Sequence, residues 1–221
     1  MTEPILLSIQ VGRPQSMGHD GAAEESGKPW TSAIFKEPIP GPAWLGRTNL
    51  DGDDQADKRN HGGPDKAVNV MPSEHHAHWQ VALGLPEVRF GAFGENLTPR
   101  GLLEDEACIG DVYAIGDARV QLSQPRVPCW KLARRWRVED FPEQVLQAGR
   151  TGWYFRVLRE AAIASGMPVR LLERPHPEWS VTRANEVMHH RKADLDAARA
   201  LAACEALAEA WRASLRKRLE R

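Results

Sequence analysis

The sequence predicts an α+β fold, mainly β: a barrel or sandwich of short strands with helical inserts, then a small helical domain. Three observations lead there. All 18 glycines and all 16 prolines lie before residue 179, so turn-formers punctuate the first part of the chain and are missing from the rest. That first part carries short β-like apolar runs separated by long loops, the pattern of a barrel or sandwich rather than of a βαβ sheet. The stretch from Lys192 to Arg221 is built of helix formers.

The elements follow in order. Strands are predicted over Ile5 to Val11, Lys66 to Met71, Asp111 to Ile115, Arg119 to Ser123 and Val169 to Leu172. Gly116-Asp117 between two of them reads as a hairpin turn. Helical stretches are predicted over Ser73 to Leu83, Trp130 to Arg135 and Pro142 to Ala148. Arg174-Pro175-His176-Pro177 marks a boundary, because two prolines stop whatever precedes them. This divides the chain into a β domain over 1–175 and a domain of two or three short helices over 179–221. In the tail, Leu201, Cys204, Ala208, Trp211, Leu215 and Leu219 recur at spacings of three and four and form one apolar face. Thr182 and Asp194 are the expected N-caps.

Composition excludes several classes. Twenty-nine Lys and Arg balance 30 Asp and Glu. A chain so balanced has no global attraction to nucleic acid or to an anionic membrane, so any anion site must be local. No apolar run approaches the ~18 residues of a membrane span, and the N-terminus lacks the basic segment of a signal peptide. A cytoplasmic location is expected. Three cysteines, 108, 129 and 204, form no CxxC pair. They cannot hold an iron–sulfur cluster between them, so the chain has no cysteine-bound electron relay of its own.

Candidate sites separate into weak and informative ones. Asp51-x-Asp53-x-Gln55-x-Asp57 begins like a calcium loop, but Ala56 stands where Gly is needed and Gly62 where a bidentate Glu is needed. His75-His76-x-His78 contains no i,i+4 pair and reads as an exposed polar helix face. No Walker loop, GxGxxG or GxSxG is present. The informative segment is Pro125-Arg126-Val127-Pro128-Cys129-Trp130-Lys131-Leu132. It places Cys129 at a helix N-terminus near Arg126, Lys131, Arg134 and Arg135, a setting that favours a thiolate able to act as nucleophile or soft-metal ligand. Asn60-His61-Gly62-Gly63-Pro64 can bring backbone amides close to an anion. Phe93-Gly94-Glu95-Asn96-Leu97-Thr98 puts a polar pair beside a glycine. Thr31 to Lys36 offers hydroxyls and a cation.

The order H-G-G-x-x-x-A-V, F-G-E-N-L, I-G-D and P-R-x-P-C-W-K-L resembles the MOSC family, named for the C-terminal domain of molybdenum cofactor sulfurases. The subtype resembled is the YiiM-like one, with a short three-helix C-terminal domain. The resemblance extends to Thr31–Ile39, Gln55-Ala56-Asp57, Glu74-His75, Thr151–Arg156 and Trp211-Arg212, nearly the whole chain. Asn69, Met71 and His76 depart from it, standing where aromatic residues are usual.

The resemblance implies a MOSC-type β-barrel, a bound molybdenum cofactor (molybdopterin) and Cys129 as the metal's protein ligand. His61, Gly62, Gly63, Arg126, Lys36, Thr31 and Arg156 become candidates for binding the pterin and its anionic tail. Asn96 and Glu95 become candidates near the reacting centre. The implied activity is reduction of N-hydroxylated compounds such as 6-hydroxylaminopurine, a detoxification. It requires a small-molecule substrate and an external electron donor, a flavoprotein or ferredoxin-type reductase. Nucleic acid and membrane are not expected as partners, and a homodimer is compatible with the pattern. Two rivals stay open: a cofactor-binding or persulfide-carrying module without turnover, and a metal-free thiol enzyme using Cys129 and His61.

Overall fold

A computed structural model describes residues 3–19 and 27–220. In chain order the elements are β1 (Ile5–Val11), β2 (Gln15–Met17), β3 (Trp30–Ser32), β4 (Glu37–Pro38), β5 (Ala43–Leu45), α1 (Lys58–His61), β6 (Val68–Val70), α2 (Glu74–Ala82), β7 (Leu97–Arg100), β8 (Val112–Ile115), β9 (Ala118–Pro125), α3 (Trp130–Trp136), α4 (Phe141–Gln147), β10 (Trp153–Arg159), β11 (Ala161–Ile163), β12 (Val169–Glu173), α5 (Val181–Asn185), α6 (Leu195–Ala203) and α7 (Glu209–Leu219).

Eight strands form one sheet in the order β12-β8-β9-β10-β6-β7-β1-β4. Every pairing in it is antiparallel except β6 with β7, which run parallel at Val70 and Leu97. The sheet curls, because β1 also bonds to the chain entering β12 at the other end. Leu6 N donates to Met167 O at 2.9 Å, Gly166 N to Leu6 O at 2.7 Å and Val169 N to Pro4 O at 2.8 Å. These bonds cover part of the β12 end of the sheet and help enclose a core. Leu6, Ile9, Val68, Val70, Leu97, Tyr113, Val120, Leu122, Trp153 and Phe155 fill it. A second apolar cluster of Met71, Trp79, Phe93, Leu132, Phe141 and Val145 lies beneath α2, α3 and α4.

The predicted strands and helices of the β domain are present within a residue or two, and Gly116 turns the β8–β9 hairpin at φ +58°. Strand β10, between β9 and β6, is not among the predicted strands. Its buried alternation of Trp153, Phe155 and Val157 is interleaved with Tyr154 and Leu158, which blurs the period-two signal. Its entry requires glycine: Gly152 has φ +67°, and a Cβ there would lie 2.0 Å from Val70 O.

The C-terminal helices bury Val181, Ala184, Val187, Leu201, Leu207, Trp211 and Leu215 in one cluster continuous with the barrel core. They form an added layer, not a detached module. Two expectations change here. Ser180, not Thr182, caps α5, its hydroxyl accepting from Arg183 N at 3.1 Å. The apolar face from Leu201 to Leu219 is split between α6 and α7, because the backbone at the break docks on the sheet: Ala208 N donates to Ser123 O at 2.8 Å. Asp194 caps α6 as expected, accepting from Ala197 N at 3.0 Å. Between α5 and α6 lies one π-helical turn, Glu186–His190. No helix among the described residues is long and apolar enough to cross a membrane.

Candidate functional site

One cleft, about 630 Å³ counted to its open mouth, gathers the sequence-predicted residues Lys36, His61, Asn96, Arg126 and Cys129. They come from five separate stretches of chain. Ser32, Asn69, Lys66, Lys131 and Tyr154 line it too, and Asp54 and Asp57 add two carboxylates to the wall.

Arg126 and Cys129 arrive together. Strand β9 ends at Pro125, Arg126 N bonds to Gly152 O at 3.0 Å, and Pro128 sets the entry to α3. Cys129 is the extended residue preceding α3 (φ −120°, ψ 167°), and its side chain caps nothing. Of the four cations expected around it, Arg126 and Lys131 face the cleft with it. Arg135 turns elsewhere, donating to the carbonyls of Ile34 and Gly91. Arg134 lies over the Trp130 ring and donates to Lys28 O at 2.9 Å.

The Arg126 side chain is buried, between Phe93 O and the Tyr154 phenol. Its Nη2 donates to Phe93 O at 2.7 Å, while Nη1 is buried without a partner. Phe93 O is held there by Glu95, whose carboxylate accepts from Gly91 N at 2.6 Å, Phe93 N at 2.9 Å and His76 Nε2 at 3.3 Å. Burial alone would raise the Glu95 pKa. His76 and the backbone amides outweigh it and hold the carboxyl below its ordinary range. Glu95 is therefore fully buried behind the cleft, where it fixes the turn that carries Arg126's anchor.

His61 is the last residue of α1, which Asp57 caps by accepting from Asn60 N at 3.0 Å. Gly63 adopts φ +94°, and a Cβ on Gly62 would lie 2.9 Å from Lys58 O. The two glycines make the turn that delivers His61 and Lys66 to the cleft; their own atoms are not part of its described wall. Burial, reinforced by the Lys131 charge, lowers the His61 pKa to about 4, so the ring is neutral near pH 7 with a buried, unpartnered Nδ1.

Asn96 uses most of its side chain structurally. Its Nδ2 donates to Gln10 O at 3.2 Å and Asp53 Oδ2 at 2.9 Å, and its Oδ1 accepts from Asn69 N at 3.1 Å. Asp53 is a hub that the sequence reading passed over. Fully buried, it also accepts from Gly12 N at 2.8 Å and forms an ion pair with Lys36 Nζ. Burial nonetheless lowers the Lys36 pKa despite Asp53 beside it. Tyr154 faces the cleft from β10 because its neighbours Trp153 and Phe155 take the core side. Burial raises its phenol pKa against the pull of Arg126, so it keeps its proton.

Two expected contributors lie elsewhere. Thr31 sits in an outer groove with its hydroxyl against Ser16 Oγ, and Ser32 takes the cleft position. Arg156 spans Asp65 (2.8 Å) and Gln121 (3.1 Å). Its pair with Asp65 ties the turn after His61 to the sheet, and Asp65 Oδ2 in turn accepts from Glu209 N, at the start of α7, at 3.4 Å. The expectation for the histidines is also corrected. His75 and His76 are buried, bonded to Glu104 at 2.7 Å and Glu95 at 3.3 Å, while His78 is exposed as expected. Of the three departures from the family pattern, only Asn69 lines the cleft; Met71 is in the core and His76 holds Glu95.

Residues 57–170 match the model of the MOSC domain. The chain belongs to the MOSC family. Residues 179–221 of this MOSC protein match the YiiM-like three-helix domain. It is 44% identical to protein YflK of Bacillus subtilis over 98% of its own length and 95% of that protein's. It is 36% identical to a protein named reductase in Gibberella moniliformis, over 87% of its own length but only 33% of that longer protein. The crystal structure of YiiM from Geobacillus stearothermophilus superposes with a TM-score of 0.81 at 36% identity, covering 98% of this chain and 99% of that one.

Proposed function

We propose that this MOSC protein is a molybdenum cofactor-dependent reductase of N-hydroxylated compounds, among them N-hydroxylated bases such as 6-hydroxylaminopurine. The observation that carries the proposal is the set of unsatisfied polar atoms around Cys129. His61 Nδ1, Asn69 Oδ1 and Arg126 Nη1 are all buried without partners. Leaving such groups unpaired costs about 1–3 kcal/mol each. A pterin offers donors and acceptors along its edges, and Arg126, Lys66 and Lys131, which line the cleft, would hold its phosphate tail. The donor set therefore fits the group.

The bound cofactor supplies a redox metal able to accept an oxygen atom. Cys129 contributes the thiolate that holds it, a soft ligand suited to such a metal. Arg126 orients the tail through its planar fork, with Glu95 and Phe93 O keeping the guanidinium in place. Neutral His61 accepts or donates at its ring nitrogens without adding charge. Tyr154 Oη holds a proton for donation across neutral pH. In the overall reaction R–NHOH takes two electrons and two protons and gives R–NH2 and water. The electrons come from a separate flavoprotein or ferredoxin-type donor, and the protein is expected to work in the cytoplasm. The relative named reductase supports redox chemistry.

The test is oxidation of reduced benzyl viologen by cofactor-loaded protein on addition of 6-hydroxylaminopurine, with adenine as product. The proposal predicts turnover in wild type and its loss in Cys129→Ser. No turnover, together with gain of one sulfur atom at Cys129 from a cysteine desulfurase, would assign the carrier role instead.

A further inference from the structure

The cleft opens into an outer groove lined by Trp30, Thr31, Asn60 and Trp130, and the two spaces share Ala56, Asp57, His61, Cys129 and Lys131. Cys129 thus stands at their junction. A ligand in the groove would lie beside the Cys129 sulfur and the His61 ring. Trp130 is 53% exposed, unusual for an indole in a folded chain. Its ring meets that of Trp30 with centroids 5.7 Å apart and planes at 59°, an open corner rather than a closed stack. Arg134 and Lys131 lie 5.1 and 5.8 Å from the Trp130 centroid.

We propose that this corner is the substrate's ring site, and that Trp130 and Trp30 are the residues selecting flat heteroaromatic substrates. The inference rests on the reductase reading and names the part of that site which sets substrate class. A planar base packs against the exposed part of the indole, beside the Arg134 and Lys131 cations that lie over its ring, and keeps its exocyclic N-hydroxyl at the junction beside Cys129. The groove's polar side chains, Asn60, Asp57 and Thr31, meet the ring's hydrogen-bonding edge. An aliphatic hydroxylamine gains none of this. Stacking of a base on an aromatic side chain supports a difference of roughly tenfold or more in affinity on truncation to alanine.

The experiment is calorimetric titration of cofactor-loaded protein with adenine, which carries the product's ring and cannot turn over. Wild type, Trp130→Ala, Trp130→Phe and Trp30→Ala are compared at equal molybdenum content and after a melting check. Trp30 lies on β3, so its variant tests the corner without altering a residue of α3 or its cap. The proposal predicts adenine binding weakened roughly tenfold or more in Trp130→Ala, weakened in Trp30→Ala, and restored to within a few-fold by Trp130→Phe. It also predicts a fall in the ratio of kcat/KM for 6-hydroxylaminopurine over that for acetamidoxime in both alanine variants. Unchanged adenine binding in the alanine variants, or none in wild type, overturns it. Viologen oxidation with insensitive adenine binding would sink the ring site alone. Trp130-dependent binding without oxidation would keep the ring site and sink the reductase reading.

Discussion

Asp53→Asn is the perturbation through which the cleft's support is most exposed to test. Asp53 has a fully buried side chain that receives four donors: Gly12 N, Lys36 Nζ, Asn96 Nδ2 and, at 3.4 Å, Gln55 Nε2. Asparagine offers one acceptor oxygen in place of two, and its amide would face a donor. The change also strands the Lys36 ammonium, 7% exposed, without its counter-charge. Breaking a buried pair from one side costs about 3–5 kcal/mol. In a chain of this length that lowers Tm by roughly 6–20 °C. Lys36→Met removes the cation and leaves Asp53 its neutral donors, so it costs less. The double variant should then cost less than the sum of the two, with a coupling of about 1 kcal/mol or more. Urea unfolding of the four proteins of the cycle, with m-values compared, measures this. Asp53→Asn within about 1 kcal/mol of wild type, or strict additivity, would refute the assignment of Asp53 as the hub.

Three further outcomes are expected. Gly152→Ala should destabilise by about 3 kcal/mol or more, because its φ is +67° and the new Cβ would meet Val70 O; chemical denaturation reads this. His61 and His189 both have pKa values lowered to about 4 by burial, from 6.5. Their folded values are depressed, so the stability linked to their neutral forms is present above 6.5 and is lost as pH falls through about 4; NMR titration of the two imidazoles should give midpoints near 4, and a midpoint near 6.5 for His61 would contradict its placement. Asp65→Ala and Arg156→Met should lower cofactor retention on dialysis to a similar degree, at about 1 kcal/mol or less in stability, because the two act as one brace on the turn after His61; loss in Arg156→Met alone would return Arg156 to the role of direct anion ligand.

The curled sheet was legible where apolar runs were clean and turns carried glycine, as at β1, the β8–β9 hairpin and β12. It was less legible at β10, where Tyr154 and Leu158 interrupt the alternation. Tyr154 interrupts it because it faces the cleft. Lys36, His61, Asn96, Arg126 and Cys129 could be found because each lies in a compact motif. Asp53 could not, because its partners Lys36, Gly12 and Asn96 lie 17, 41 and 43 residues away, and its local neighbours imitate the start of a calcium loop. Arg156 and Glu95 show the opposite error. Their charges suggested ligand contact, but the fold spends both internally, on Asp65 and on the Gly91–Phe93 turn. Pairing partners distant in sequence decide which charged residue faces a cleft, and spacing alone does not carry that information. The His75-His76 pair illustrates it again, since two buried glutamates turn a polar-looking helix face inward.

The central claim is that Cys129 holds molybdenum. Molybdenum per chain, measured by elemental mass spectrometry on wild type and Cys129→Ser from a host that assembles the cofactor, tests it most directly. The account predicts near-stoichiometric metal in wild type and a sharp loss in the variant. Metal absent from both, or equal in both, would contradict it.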